Sequence, residues 1–168
     1  MLVLSGITAM KGPSRVSGVP QPGIANGTEL LVTATGDIVL QNDILTQDFN
    51  SGTSVLGIFS SGGDVRVGSS APDEMYLDAF VMATGSNGVF TVDGYSGGSP
   101  RGLFHLRGGM VTSYYGAFGT FGTGGSPQSG YQRDFRYDGR GLIPPYFPGN
   151  SIYTTNLPTA RALEWREL

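Results

Sequence analysis

The stretch GGDVRV, residues 62–67, sets a glycine turn and an acid before two valines that flank one arginine. Alternate side chains of a strand point to opposite faces, so Val65 and Val67 share a face that Arg66 avoids. A sister phrase, TGDIVL, occupies 35–40, and a looser one, SNGVFTV, occupies 86–92. Aligned on glycine, Gly36 precedes Ile38 and Leu40, Gly63 precedes Val65 and Val67, and Gly88 precedes Phe90 and Val92. The steps between these phrases are 27 and 25 residues. A fourth phrase, PRGLFHL at 100–106, follows after only 14, which assigns it to a different face or a shortened turn. A second series precedes the first: ELLVTATGD (29–37), SVLGIFSSGGD (54–64) and DAFVMATGSNG (78–88).

Self-similarity at 20–50 residues is the mark of stacked repeats. Each unit holds short apolar strands separated by Gly, Ser, Asn and Asp corners. Glycine interrupts nearly every candidate helix. The pattern predicts an all-β fold, a short right-handed parallel β-helix of three to four coils. Ile38, Val65 and Phe90 stack inward along its axis. A β-sandwich is the rival, because it also strings short strands at regular spacing. The repeat favours the solenoid. One domain is expected over 1–168, with an N-terminal coil or cover at 1–28, coils at 29–121, and a loop and C-terminal strap or cap at 122–168.

Composition agrees with an ordered, turn-rich chain. Glycine supplies 28 of 168 residues and charged side chains only 14%. Yet apolar bursts recur throughout, as they do not in disordered chains. The formal net charge is −3, which offers no global attraction to nucleic acid. It is unevenly spread: residues 1–99 carry −6 and residues 100–168 carry +3. Cysteine is absent, which excludes disulfides and thiolate chemistry. MLVLSGITAM lacks a basic n-region and a long apolar core, and no run approaches the ~20 apolar residues of a membrane helix. Any export signal or anchor is expected outside this chain. No cofactor or metal motif is present.

Candidate chemistry is sparse. His105 is the single histidine and alternates with Phe104 and Leu106, so it faces outward if they face in. Asp73, Glu74 and Asp78 cluster in sequence, and Asp37 and Asp64 stack one coil apart. Such acids serve glycan cleavage or Ca²⁺ binding, but Gly-Asp is also ordinary turn chemistry, the preferred reading here. YQRDFRYDGR (131–140) interleaves Tyr131, Phe135 and Tyr137 with Arg133, Arg136 and Arg140. Arginines neutralise phosphates and aromatics stack on bases, so Arg133, Arg136, Arg140, Tyr131 and Tyr137 are the DNA or ligand contact candidates. Asp134 and Asp138 dilute that charge. The favoured alternative is a strap whose aromatics pack on the solenoid wall. GTGGSPQSG (122–130) is expected as a loop. Tyr146 and Phe147, among Pro144, Pro145 and Pro148, are expected to dock, and Trp165 to anchor the C-terminus.

Several elements occur together in order: GSPRG (98–102), GAFGTF (116–121), SGY (129–131), DFRYD (134–138), PPYFP (144–148) and Trp165. With VLGIFSSGGDVRV before them, they resemble the β-solenoid domain of large type IV pilus minor pilins, competence-type pilins among them, and of related bacterial surface proteins. The resemblance covers residues 54–168. It implies an extracellular, non-enzymatic module at a pilus tip, with other pilin subunits as partners and DNA capture or adhesion as activities. The long apolar helix that opens a minor pilin is not in this sequence. Two further readings remain: a carbohydrate-active β-helix acting on polysaccharide, and a filament or sheath protein that self-assembles.

Overall fold

The computed structural model describes residues 2–3, 9–48 and 53–139. Among them are twelve strands and no helix. In chain order these are β1 (Leu2–Val3), β2 (Pro22–Ile24), β3 (Glu29–Ala34), β4 (Ile38–Leu40), β5 (Leu45–Thr46) and β6 (Val55–Ser60). Then follow β7 (Val65–Val67), β8 (Met75–Ala83), β9 (Phe90–Val92), β10 (Pro100–Thr112), β11 (Gly119–Phe121) and β12 (Pro127–Tyr137). They wind into a parallel β-solenoid of about four turns.

Three walls enclose the core. The first runs β1-β3-β6 and continues into the later halves of β8 and β10, with Val32 beside Ile58 and Ile58 beside Val81. The second is the sheet β4-β7-β9, in which Ile38, Val65 and Phe90 are register partners, as are Leu40, Val67 and Val92. All six are buried. This is the column that the glycine phrases predict, and its parallel pairing excludes the sandwich. The third wall starts with β2 beside β5. Ile44 bridges to Leu77, the early halves of β8 and β10 then pair with each other, and β10 pairs with β12. Leu77, Leu106 and Phe135 form one of its inner columns. PRGLFHL therefore belongs to this third wall, which explains its short offset from the second-wall phrases.

The third and first walls fuse in the later coils, because β8 and β10 pass the corner unbroken. Gly108 makes that possible: a Cβ there would run into the carbonyl oxygen of Ala79. At the opposite corner the aspartates of the GD phrases hold the coils in step. Asp37 accepts the backbone N–H of Asp64 at 2.9 Å, and Asp64 accepts that of Val89 at 3.0 Å. Arg66 bridges outward to Asp37 and Asp93 at 3.2 and 3.0 Å. Ser60 Oγ donates to the Gly36 carbonyl and accepts from the Gly63 N–H.

The core changes character along the axis. Early coils are filled by Val32, Ile38, Leu40, Ile44 and Ile58. Later coils hold Phe90, Phe104 and Phe118, packed edge to face at 5.1–5.7 Å. Such aromatic contacts add about 0.5–1.5 kcal/mol each beyond area burial.

The C-terminal part corrects two expectations. The coils do not end at 121: β12 pairs in parallel with β10 from Leu103–Gln132 to Gly108–Tyr137. Residues 131–137 are thus a wall strand rather than a strap, since Tyr131 and Phe135 alternate inward. The expected loop at 122–130 is shorter, a hairpin turn closed by Gly122 N–H to Ser126 O at 2.8 Å, with β11 antiparallel to β12. At the other end, Met10 bridges to Leu40, and β2 pairs with β5, so the early residues join the winding. Arg140, Pro144, Pro145, Tyr146, Phe147, Pro148 and Trp165 lie outside the described residues.

Candidate functional site on the third wall

The outer face of the third wall gathers polar side chains into two parallel columns. Register places Tyr76, His105 and Asp134 on successive strands, and beside them Asp78, Arg107 and Arg136. The inner faces of the same strands carry Leu77, Leu106 and Phe135. Period-2 alternation therefore forces this composition outward once the apolar column is buried.

His105 stacks on Tyr76, with ring centroids 4.2 Å apart and planes 13° from parallel. Its Nδ1 lies 2.7 Å from Asp134 Oδ2. Its Nε2 is shielded from solvent and faces Glu74 Oε1 at 3.7 Å. The imidazole thus lies outward, as its alternation requires, but it is wedged between two carboxylates and only 16% exposed. Hydrogen bonds from His105, and then from Arg136, hold the Asp134 carboxyl below its ordinary value. Glu74 has φ 57°, a left-handed conformation uncommon for a side-chain-bearing residue. Two bonds hold it there: its N–H donates to Arg101 O at 2.9 Å, and its carbonyl accepts Arg15 Nη2 at 2.7 Å. Gly102, at φ 79°, leaves room for the Glu74 carboxylate.

The second column is anchored by a buried carboxylate. Asp78, with 1% of its side chain exposed, receives both Nε and Nη2 of Arg107, at 2.5 and 2.6 Å. It also accepts the Thr46 N–H at 3.0 Å. Burial pushes its carboxyl up, against the opposing pull of Arg107. Arg136 is 73% exposed and reaches Asp134 at 3.2 Å. Between the columns and the loop ahead of β2 lies a groove of about 450 Å³, floored by Tyr76, His105, Arg107, Asp134 and Arg136 and rimmed by Pro20 and Leu45.

The residues read from sequence as contacts are split by the fold. Tyr131 is buried, its hydroxyl donating to Pro72 O at 2.7 Å, and burial lifts that hydroxyl to about 12. Arg101 covers its ring at 4.6 Å. Arg133 is the register partner of Phe104 and turns into the end of the core. Its guanidinium lies over Tyr115, Phe118 and Phe135 at 4.3, 4.9 and 5.7 Å, and donates to Gly116 O. Only Arg136 and Tyr137 of the described candidates are exposed, and they occupy opposite faces of β12.

The acid candidates separate as well. Asp73 is exposed and pairs with Arg101 at 3.0 Å, whereas Asp78 is buried behind Arg107. Asp37 and Asp64 serve the corner ladder described above. Among the described residues no group of three or more His, Asp or Glu is arranged to hold a metal. No helix there is long and apolar enough to cross a membrane.

Sequence reasoning missed Tyr76 and Asp134 as partners of His105, and Arg107 as the partner of Asp78. The signal was present: positions 76, 105 and 134, and likewise 78, 107 and 136, recur every 29 residues. Comparison with known protein families, curated proteins and solved structures gives no match for this chain.

Proposed function

We propose that the chain is a non-enzymatic structural and interaction module of the bacterial cell surface. In this reading it is the C-terminal domain of a type IV pilus minor pilin or a related surface protein, and its solenoid displays a stiff wall for adhesion. The resemblance over residues 54–168 and the solenoid fold support the class. One observation carries the non-enzymatic part: the lone imidazole has one nitrogen bound to Asp134 and the other shielded against Glu74. A general base needs a nitrogen within reach of the proton it removes. Adhesion is favoured over DNA capture, because Tyr131 and Arg133 are packed inside rather than offered to bases and phosphates.

Immunogold labelling of intact cells of the source bacterium tests the display. Label on surface filaments, lost on deletion of the gene, is the expected result; label confined to the cytoplasm overturns the proposal. The second reading, a carbohydrate-active β-helix, is favoured by the Asp134–His105 pair beside a groove. It is tested by polysaccharide cleavage with and without Ca²⁺. Turnover that disappears in His105→Gln would replace the first reading by the second.

A further inference from the structure

We infer that the third-wall groove is a binding site for an acidic saccharide, with the carboxylate of a uronic acid residue seated on Arg136. Arg107 and Arg136 are register partners on adjacent strands, whose backbones lie about 4.8 Å apart. Like charges opposite each other across strands repel. Arg107 is answered by the buried Asp78 in a bidentate pair. Arg136 also holds a carboxylate in a fork, Asp134 through Nε and Nη2 at 3.2 Å each, but at 73% exposure this pair has little energetic weight. An incoming carboxylate can therefore displace Asp134 from the Arg136 fork and take its two parallel hydrogen bonds, while Asp134 keeps its bond to His105.

The rest of the groove selects among anions. Asp134 lies next to the guanidiniums and remains anchored on His105 Nδ1, so its oxygens accept hydroxyl protons. A phosphodiester chain of the same charge brings few hydroxyl donors, so Asp134 has little to accept from it. A uronic acid residue brings one carboxylate together with vicinal hydroxyls, which is the pairing that Arg136 and Asp134 demand. Pro20 and Leu45 give the rim an apolar surface for the C–H face of a sugar ring, and the Tyr76 hydroxyl supplies a further polar contact. The volume, about 450 Å³, lies within the usual range for small-ligand sites, roughly 300–1,000 Å³.

The inference deepens the adhesion reading above and rests on it, naming the ligand class that the wall would meet. It is tested with the purified full chain, titrated calorimetrically at low ionic strength with three probes: oligogalacturonate, its methyl-esterified form, and oligothymidylate of equal charge. Oligogalacturonate is expected to bind, the ester about tenfold more weakly or worse, and oligothymidylate not at all. Arg136→Ala is expected to weaken oligogalacturonate by about tenfold while leaving the thermal unfolding temperature unchanged, because the side chain is exposed. Arg136→Lys keeps the charge but loses the fork, and is expected to fall between. Failure of oligogalacturonate to bind, equal binding of its ester or of oligothymidylate, or an unaltered affinity in Arg136→Ala each overturns the inference. Surface display is scored separately on cells, so a displayed chain that ignores uronates loses the ligand and keeps its location.

Discussion

The second and third walls are built from the same coils yet spend their polar residues differently. On the second wall, aspartates at the corner accept backbone N–H groups from the next coil, and Arg66 is shared between Asp37 and Asp93. These side chains are absorbed in holding the windings together. On the third wall, carboxylates and guanidiniums form columns across the outer face, and a groove opens beside them. A repeat can thus keep one face for structure and release another for recognition, because the inward column and the corner ladder together hold the register.

Truncating the second wall's inner column gives the largest expected effect. Phe90 is buried against Phe104 and Phe118, and Phe90→Ala is expected to cost about 3–5 kcal/mol, measured as a lower urea midpoint. A loss below about 1 kcal/mol would mean that the column does not carry the fold.

A smaller loss is expected when the third wall's buried charge is stranded. Arg107→Met leaves Asp78 without its guanidinium, at a cost of about 3 kcal/mol or less, since Arg107 is itself partly exposed. Burial already raises the Asp78 carboxyl, and removing Arg107 raises it further. A raised folded-state value favours the protonated form, so the deficit should be greatest at neutral pH and shrink as pH falls. Denaturant titrations at two pH values check the sign. Arg107→Met combined with Asp78→Leu should recover most of the loss. If the double variant is no better than the single, the penalty does not come from the stranded charge.

How much of this was legible follows from the spacing. On the second wall, steps of 27 and 25 residues lie between obvious glycine phrases, so Ile38, Val65 and Phe90 could be aligned by eye. The third wall passes from Ile44 to Leu77 and then on by 29, and its strands β8 and β10 run straight through a corner. PRGLFHL falls on those rungs, but its offset of 14 from the preceding phrase matches neither step of the second wall, which hid the link between Tyr76, His105 and Asp134. The 131–140 segment misled for another reason. Alternating arginines and aromatics suggested one mixed binding stripe, but Tyr131, Arg133 and Phe135 share the inward face. Burial won over charge there because aromatic rings and Gly116 O receive the guanidinium. Desolvation correspondingly lowers the Arg133 value.

The smallest effect is expected in acid, at the turn that follows β5. Hydroxyls of Ser54 and Thr53 hold the Asp48 carboxyl down to about 2, from an ordinary 3.8. A depressed carboxyl contributes stability that is complete above its ordinary value and lost as pH falls toward the folded one. Asp48→Asn should therefore flatten the fall in thermal unfolding temperature between about pH 4 and pH 2. The slope that remains belongs in part to Asp134, which is also depressed. An unchanged profile in Asp48→Asn would show that this turn contributes nothing to acid sensitivity.

The parallel ladder has a mechanical meaning. Its rungs of hydrogen bonds point from one winding to the next, so tension between the two tips of the solenoid loads them one row at a time instead of all together. Under traction such a body yields by unreeling from an end, letting out chain in lengths of one winding while the remainder keeps its shape.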